Sequence, residues 1–362
     1  MSSQIEAALI AAVVSLISLG GTVLVAIIGF RTTRSVTGST LAEQRARTLN
    51  ERFATAADKL GSDKPPAVRL AGVYAMAGLA DDWPENRQIC IDVLCAYLRL
   101  PHESDPGDDA PAEERIDFGA SREARHTVIR VIAAHLKDDA AVSWQGINFD
   151  FTGVVFDGGS FTRAKFSGGE VSFVGAEFSG GKVDFQYAEF SGGVVDFSGA
   201  KFSGGEVSFR SVKCSGGVVG FVHAEFSGAT VSFWGAKFSG SWVAFSGAEF
   251  SGGEVSFSDT EFSGGKIEFS VAKFSGGEVD FGGAEFSGST VEFTGAEFSG
   301  GAVSFREGKF SGGEASFLAA KFSGGEVDFS DPGDWSSPPK FAWIDIPAQG
   351  VKLPHEEDQS PV

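Results

Sequence analysis

A mainly β fold, wound as a solenoid of about 24 residues per coil and preceded by one membrane-spanning helix and a small helical region, follows from three features of this 362-residue sequence. Phenylalanine recurs with a twelve-residue period over nearly half of the chain, an uncharged run stands near the start, and apolar residues at helical spacing fill the part between. The repeat is the most constraining of the three. From Phe166 to Phe322 one aromatic series slips only at Cys214, and a second runs from Phe173 to Phe329 without exception. The unit reads F-S-G-G-x-V-x-F-x-x-A-x, so the aromatic gaps alternate between seven and five residues. Self-similarity at a fixed short period marks a solenoid, in which each unit packs mainly on its neighbours. Such a rod offers surface for binding more readily than a pocket for chemistry.

In chain order, the first element is the uncharged run over residues 7–30. Its 24 residues, at about 1.5 Å each, are enough to cross a hydrocarbon core of roughly 30 Å. Only six residues precede it, none of them basic, which does not fit a cleaved signal peptide. Arg31, Arg34, Arg45, Arg47 and Arg52 follow closely. The positive-inside rule then predicts a single-pass anchor over residues 1–34 in the inner (plasma) membrane, N-terminus outside and body cytoplasmic. Ser18, Thr22 and Ala26 stand at small-xxx-small spacing, which allows a homodimer through this helix; the solenoid caps are the other route to a dimer.

Residues 35–143 read as a cytoplasmic helical region. Thr40 and Glu43 are spaced as a capping box, Gly61 stands as a stop, and Ala42, Ala46, Leu49, Phe53, Ala56 and Leu60 form one stripe. Pro65-Pro66 opens a second helix carrying Val68, Ala71, Tyr74 and Leu79. Asp82 and Pro84 are placed to start a third, with Ile89, Ile91, Leu94 and Leu98 inside and Pro101 as its end. Residues 101–120, acidic and rich in Pro and Gly, predict a linker; a fourth helix is expected over 121–137, with Val128, Ile129, Ile132 and Leu136 on one side.

Phe151, Phe156, Phe161 and Phe166 are spaced by five, and segments such as Ala176-Glu177-Phe178 and Ala188-Glu189-Phe190 place a small residue two before the aromatic. Here the chain resembles the pentapeptide-repeat family, whose pattern is a small residue, a polar one, Leu or Phe, and two more. The resemblance covers about 149–329 and implies a right-handed quadrilateral β-helix with Phe and the small residue inward. The Ser-Gly-Gly-x segments insert two residues at alternate corners, a departure from that pattern. A coil of twelve residues has no room inside for two Phe, a Val and an Ala, whereas sides of five, seven, five and seven close after 24. Fourteen units then make seven coils. Glycine at the first corner position, from Gly168 to Gly324, predicts positive φ or close approach between layers. Trp144 and Ile147 are expected to cover the near end of a solenoid spanning 144–343; Trp335, Phe341 and Trp343 are expected at the far end, followed by a disordered acidic tail over 344–362.

The charge of −19 argues against direct nucleic-acid binding, which needs clustered cations. Cys90, Cys95 and Cys214 are too few for a disulfide framework, and Cys214 takes a Phe slot as a small buried thiol. His102, His126, His135, His223 and His355 show no metal-ligand spacing, and the SGGK segments at Lys182 and Lys266 lack the spacing of a phosphate loop. We therefore expect no catalytic, cofactor-binding or metal-binding residues. The candidate site is instead an exposed apolar stripe: Val194, Val218 and Trp242 lie 24 residues apart and stack in the proposed coil, with Trp234 widening it. These features predict a membrane-tethered scaffold that binds a protein and performs no reaction. The alternative, implied by the family resemblance, is an acidic rod that mimics DNA and occupies the groove of a topoisomerase or another DNA-binding protein.

Overall fold

The computed structural model describes residues 38–61, 64–101, 105–343 and 348–354. The expected anchor over 7–30, its dimerisation residues Ser18, Thr22 and Ala26, and His102 and His355 lie outside them. Among the described residues, no helix is long and apolar enough to cross a membrane. The chain divides into two compact units, residues 1–131 and 132–362.

The first unit is helical: α1 (Gly38–Leu60), α2 (Pro66–Asp82), a 3-10 turn (Pro84–Asn86), α3 (Arg87–Arg99) and most of α4 (Ala112–His135). Thr40 lies inside α1, not ahead of it, and the α1 stripe is buried at Leu49, Ala56 and Leu60 while Ala42 and Ala46 are exposed. In α2 the buried face is Gly72, Val73, Met76, Ala77, Leu79 and Ala80, which leaves Ala71 and Tyr74 in solvent. Gly72 explains the choice of face: a Cβ there would stand 3.0 Å from the Leu60 nitrogen and from Lys59, so the end of α1 crosses at that point. The Arg52–Asp82 ion pair at 2.8 Å joins the same two helices. Asp82 closes α2 instead of capping α3, and in α3 Cys90 and Cys95 are buried where Ile89 is exposed. The expected linker holds a further correction. Ala112 begins a 24-residue helix, because Pro111 presets its entry and Glu113 and Glu114 meet its N-terminal dipole.

The second unit is a parallel β-solenoid of four sheets, consistent with a pentapeptide-repeat fold. Sheet I runs from Phe149–Asp150 to Glu314–Ser316 and sheet II from Val155–Phe156 to Lys321–Phe322, each with eight strands. Sheet III runs from Gly159–Ser160 through Glu326–Asp328 to Val351–Lys352, nine strands; sheet IV runs from Lys165–Ser167 to Lys309–Phe310, seven. One coil takes 24 residues, as Lys201↔Glu225 and Val207↔Val231 show. There are about eight coils, not seven. The first is shorter, with Phe149 opposite Val171 and Phe156 opposite Phe178, because the five-residue gap from Phe156 to Phe161 omits the corner insertion. At the far end Val351 pairs with Val327, so part of the expected tail extends sheet III.

The interior is aromatic. Rings one coil apart stack in register, Phe197 on Phe221 at 4.8 Å between centroids and Phe202 on Phe226 at 4.7 Å, both inclined by 3°. Neighbouring columns meet edge to face, as Phe197 and Phe209 do at 5.5 Å and 88°. Both geometries suit the ring quadrupole, each pair adding about 0.5–1.5 kcal/mol to what burial alone contributes. The small residues fit between: Ala176, Ala188, Ala200 and Ala224 are fully buried. Cys214 keeps the register between Phe190 and Phe238, and the neighbouring small-residue slot in the same coil is enlarged to Val212. At the near end Trp144 is fully buried, stacked on His135 at 3.9 Å, while the Leu136 carbonyl accepts from the Lys165 amide at 2.8 Å. Trp335 packs on Phe310, Trp343 on Phe322 and Phe341 on Phe317, so hydrophobic rings cover the last layer.

Candidate interaction surface

Each three-residue strand points its middle side chain inward and the residue before it out, the consequence of the two-residue pleat. The outward residues of one sheet therefore form columns with a spacing of about 4.8 Å, the usual distance between paired strands. On sheet II the column reads Glu177, Lys201, Glu225, Glu249, Lys273, Glu297, Lys321; on sheet IV it reads Lys165, Glu189, Lys213, Lys237, Glu261, Glu285, Lys309. Ion pairs tie the layers together: Lys273 to Glu249 at 2.7 Å, Lys321 to Glu297 at 2.7 Å, Lys237 to Glu261 and Lys309 to Glu285 at 2.6 Å. The hydrogen bond from Lys321 holds Glu297 below the usual carboxylate range, and Glu249 raises Lys273. These contacts are exposed and each contributes little to stability. Their effect is to fill the outward columns with paired charge.

Sheet I breaks the rule over three layers. Val194 pairs with Val218 and Val218 with Trp242, between Glu170 on one side and Lys266 on the other. Val194 is 39 % exposed and Trp242 49 % exposed, with Val218 half-buried between them. The position after the inward valine is Asp196, Gly220 and Ala244, of which Gly220 and Ala244 are buried, so Asp196 is the one charge on these three strands. Trp242 is anchored by its indole N–H, which donates to Glu268 Oε2 at 3.3 Å. The three stacked residues of the expected stripe thus lie together on one sheet.

Trp234 does not join them. It stands on the turn from sheet III to sheet IV, separated from Trp242 by the strand Lys237–Ser239, and the Arg210 guanidinium sits 4.7 Å from its ring centroid. The distance along the chain is short, but the corner at Gly240 sends the two indoles to different sides of the prism. Sequence reasoning also missed the turns themselves. In the F-x-x-A turns the third residue has positive φ, and eight of these are not glycine, among them Tyr187, His223 and Val271. Tyr187 and Val271 are exposed.

The thiols are sealed: burial pushes Cys90 up to about 11 and Cys214 higher still. Among the described residues no group of three or more His, Cys, Asp or Glu is placed to hold a metal ion. No family model, curated protein or solved structure matches this chain.

Proposed function

We propose that this chain is a binding scaffold with no catalytic role: a right-handed pentapeptide-repeat rod that presents the Val194–Val218–Trp242 column to a protein partner, tethered at the cytoplasmic face of the plasma membrane by residues 7–30. The observation that carries the reading is the loss of charge from the Val194, Val218 and Trp242 position on three successive layers of sheet I, where the columns of sheets II and IV keep theirs. An exposed indole beside two aliphatic residues on a rigid sheet has the makings of an energetic anchor, since binding energy concentrates on such aromatic groups. The ladders support this reading over the DNA mimic. A duplex mimic needs unbroken anionic columns, whereas here lysines interrupt the columns of sheets II and IV and pair with carboxylates of neighbouring layers. A photoreactive amino acid in place of Val218 is expected to crosslink a discrete protein in the native cell, and the same group in place of Glu278 on sheet III is not. Equal crosslinking from both positions would refute the assignment, and recovery of a topoisomerase with inhibited supercoiling would establish the mimic. Removal of residues 1–37 is expected to move the chain from the membrane to the soluble fraction.

A further inference from the structure

A second site stands in the helical unit, independent of the stripe. The start of α2, the end of α3 and the middle of α4 enclose a cleft of about 530 Å³. Three guanidinium groups line it, Arg69, Arg122 and Arg125, in a chain whose net charge is −19. Arg125 is 6 % exposed and is held by the Leu98 carbonyl, which accepts from Nη1 at 2.7 Å. Arg69 is fixed by donation from Nη2 to Ser121 Oγ at 2.8 Å, while its Nε is buried with no hydrogen-bond partner among the described residues. Tyr97 completes the wall; burial raises its phenol above the ordinary range against the opposing pull of Arg69 and Arg125, so it stays protonated and able to donate. Glu114 and Asp117 stand exposed on the lining.

Guanidinium groups repel one another, and a buried N–H without an acceptor is costly, so a cluster of this kind is stabilised by oxygen atoms supplied from outside. Planar N–H forks match the oxygens of phosphate, and an anchored fork loses little freedom on binding. The volume exceeds what one bare phosphate fills. The two carboxylates on the lining oppose an extended polyanion. We propose that this cleft binds the phosphate group of a small phosphorylated ligand, either free in solution or as a lipid headgroup.

The test uses the full chain in phosphatidylcholine nanodiscs at low ionic strength. Inorganic phosphate and glycerol 3-phosphate are titrated in, with hydrogen exchange read at residues 69–72 and 121–125; separate discs contain phosphatidylglycerol and no free phosphate. Saturable protection by the free anions assigns a soluble ligand, and protection only with phosphatidylglycerol assigns a headgroup. Arg69→Gln is expected to weaken binding at least tenfold, Arg69→Lys to weaken it less, and Arg130→Gln, which removes an exposed cation paired with Glu123, to leave it unchanged. Helical circular dichroism of each variant separates lost binding from lost folding. No saturable protection in any arm, or equal loss in Arg69→Gln and Arg130→Gln, would overturn the proposal.

Discussion

The corners of the solenoid and its F-x-x-A turns both place residues at positive φ, yet the corners hold almost nothing but glycine and the turns tolerate tyrosine, histidine and valine. The difference lies in what surrounds the missing Cβ. At the corner, a Cβ on Gly205 would lie 2.3 Å from the Gly181 oxygen of the layer before, and one on Gly193 2.3 Å from the Gly169 oxygen. At the turn, a Cβ on Gly199 meets nothing within 4 Å. Backbone strain alone is therefore tolerated, whereas positive φ combined with close approach is met by glycine; Ala229, Ser241 and Ser289, which stand at the same corner, do not have positive φ. The layers are locked at the corners, and most chemical variety falls on turns and outward columns.

The largest expected effect follows directly. Gly205→Ala combines strain with collision and should destabilise the solenoid by about 3 kcal/mol, whereas Gly199→Ala meets strain alone and should cost about 1 kcal/mol. Denaturant unfolding of the two variants measures the contrast; equal losses would mean that collision is relieved by a small shift of the layers.

Next in size is the coil around Cys214, where the interior departs from its rule twice. Both Val212 and Cys214 are buried, one larger and one smaller than the usual Ala and Phe. Cys214→Phe alone should overpack the coil and destabilise by about 2 kcal/mol, Val212→Ala alone should leave a void of similar cost, and the double variant should approach the parent. Additive losses would show that the two substitutions are unrelated.

A smaller gain is expected at a turn. Val271 is a β-branched residue at φ +54 and is 57 % exposed, so it carries strain without much burial in return. Val271→Gly should stabilise by up to about 1 kcal/mol, the relieved strain exceeding the added chain entropy. A loss of stability instead would show that the exposed valine packs along its column.

The coil length, the inward Phe and Ala, and the stacked stripe were legible because a period of twelve and a pleat of two leave one consistent winding. The eighth layer was less so, since the first coil is built on five-residue gaps without the insertion that defines the others. The second corner glycine was overlooked in favour of the first, although Gly181, Gly205 and Gly265 combine positive φ with close approach to the layer before. In the helical unit the acidic, Pro/Gly-rich composition of 101–120 concealed the start of α4, and the buried face of α2 follows a tertiary crossing with α1 at Gly72 that periodicity does not encode. Trp234 was misplaced because proximity in sequence says nothing about which side of a corner a residue occupies. The arginine cleft was invisible altogether, its members coming from Arg69, Arg122 and Arg125 on two separate helices.

The central claim is that the apolar column on sheet I serves recognition and not folding. It is tested most directly by the yield of the Val218 photocrosslink in a Trp242→Ser background, with the melting temperature recorded on the same preparation. The account predicts that the crosslink is lost while melting is unchanged within about 2 °C, as for an exposed substitution. A retained crosslink, or a chain that no longer folds, would contradict it.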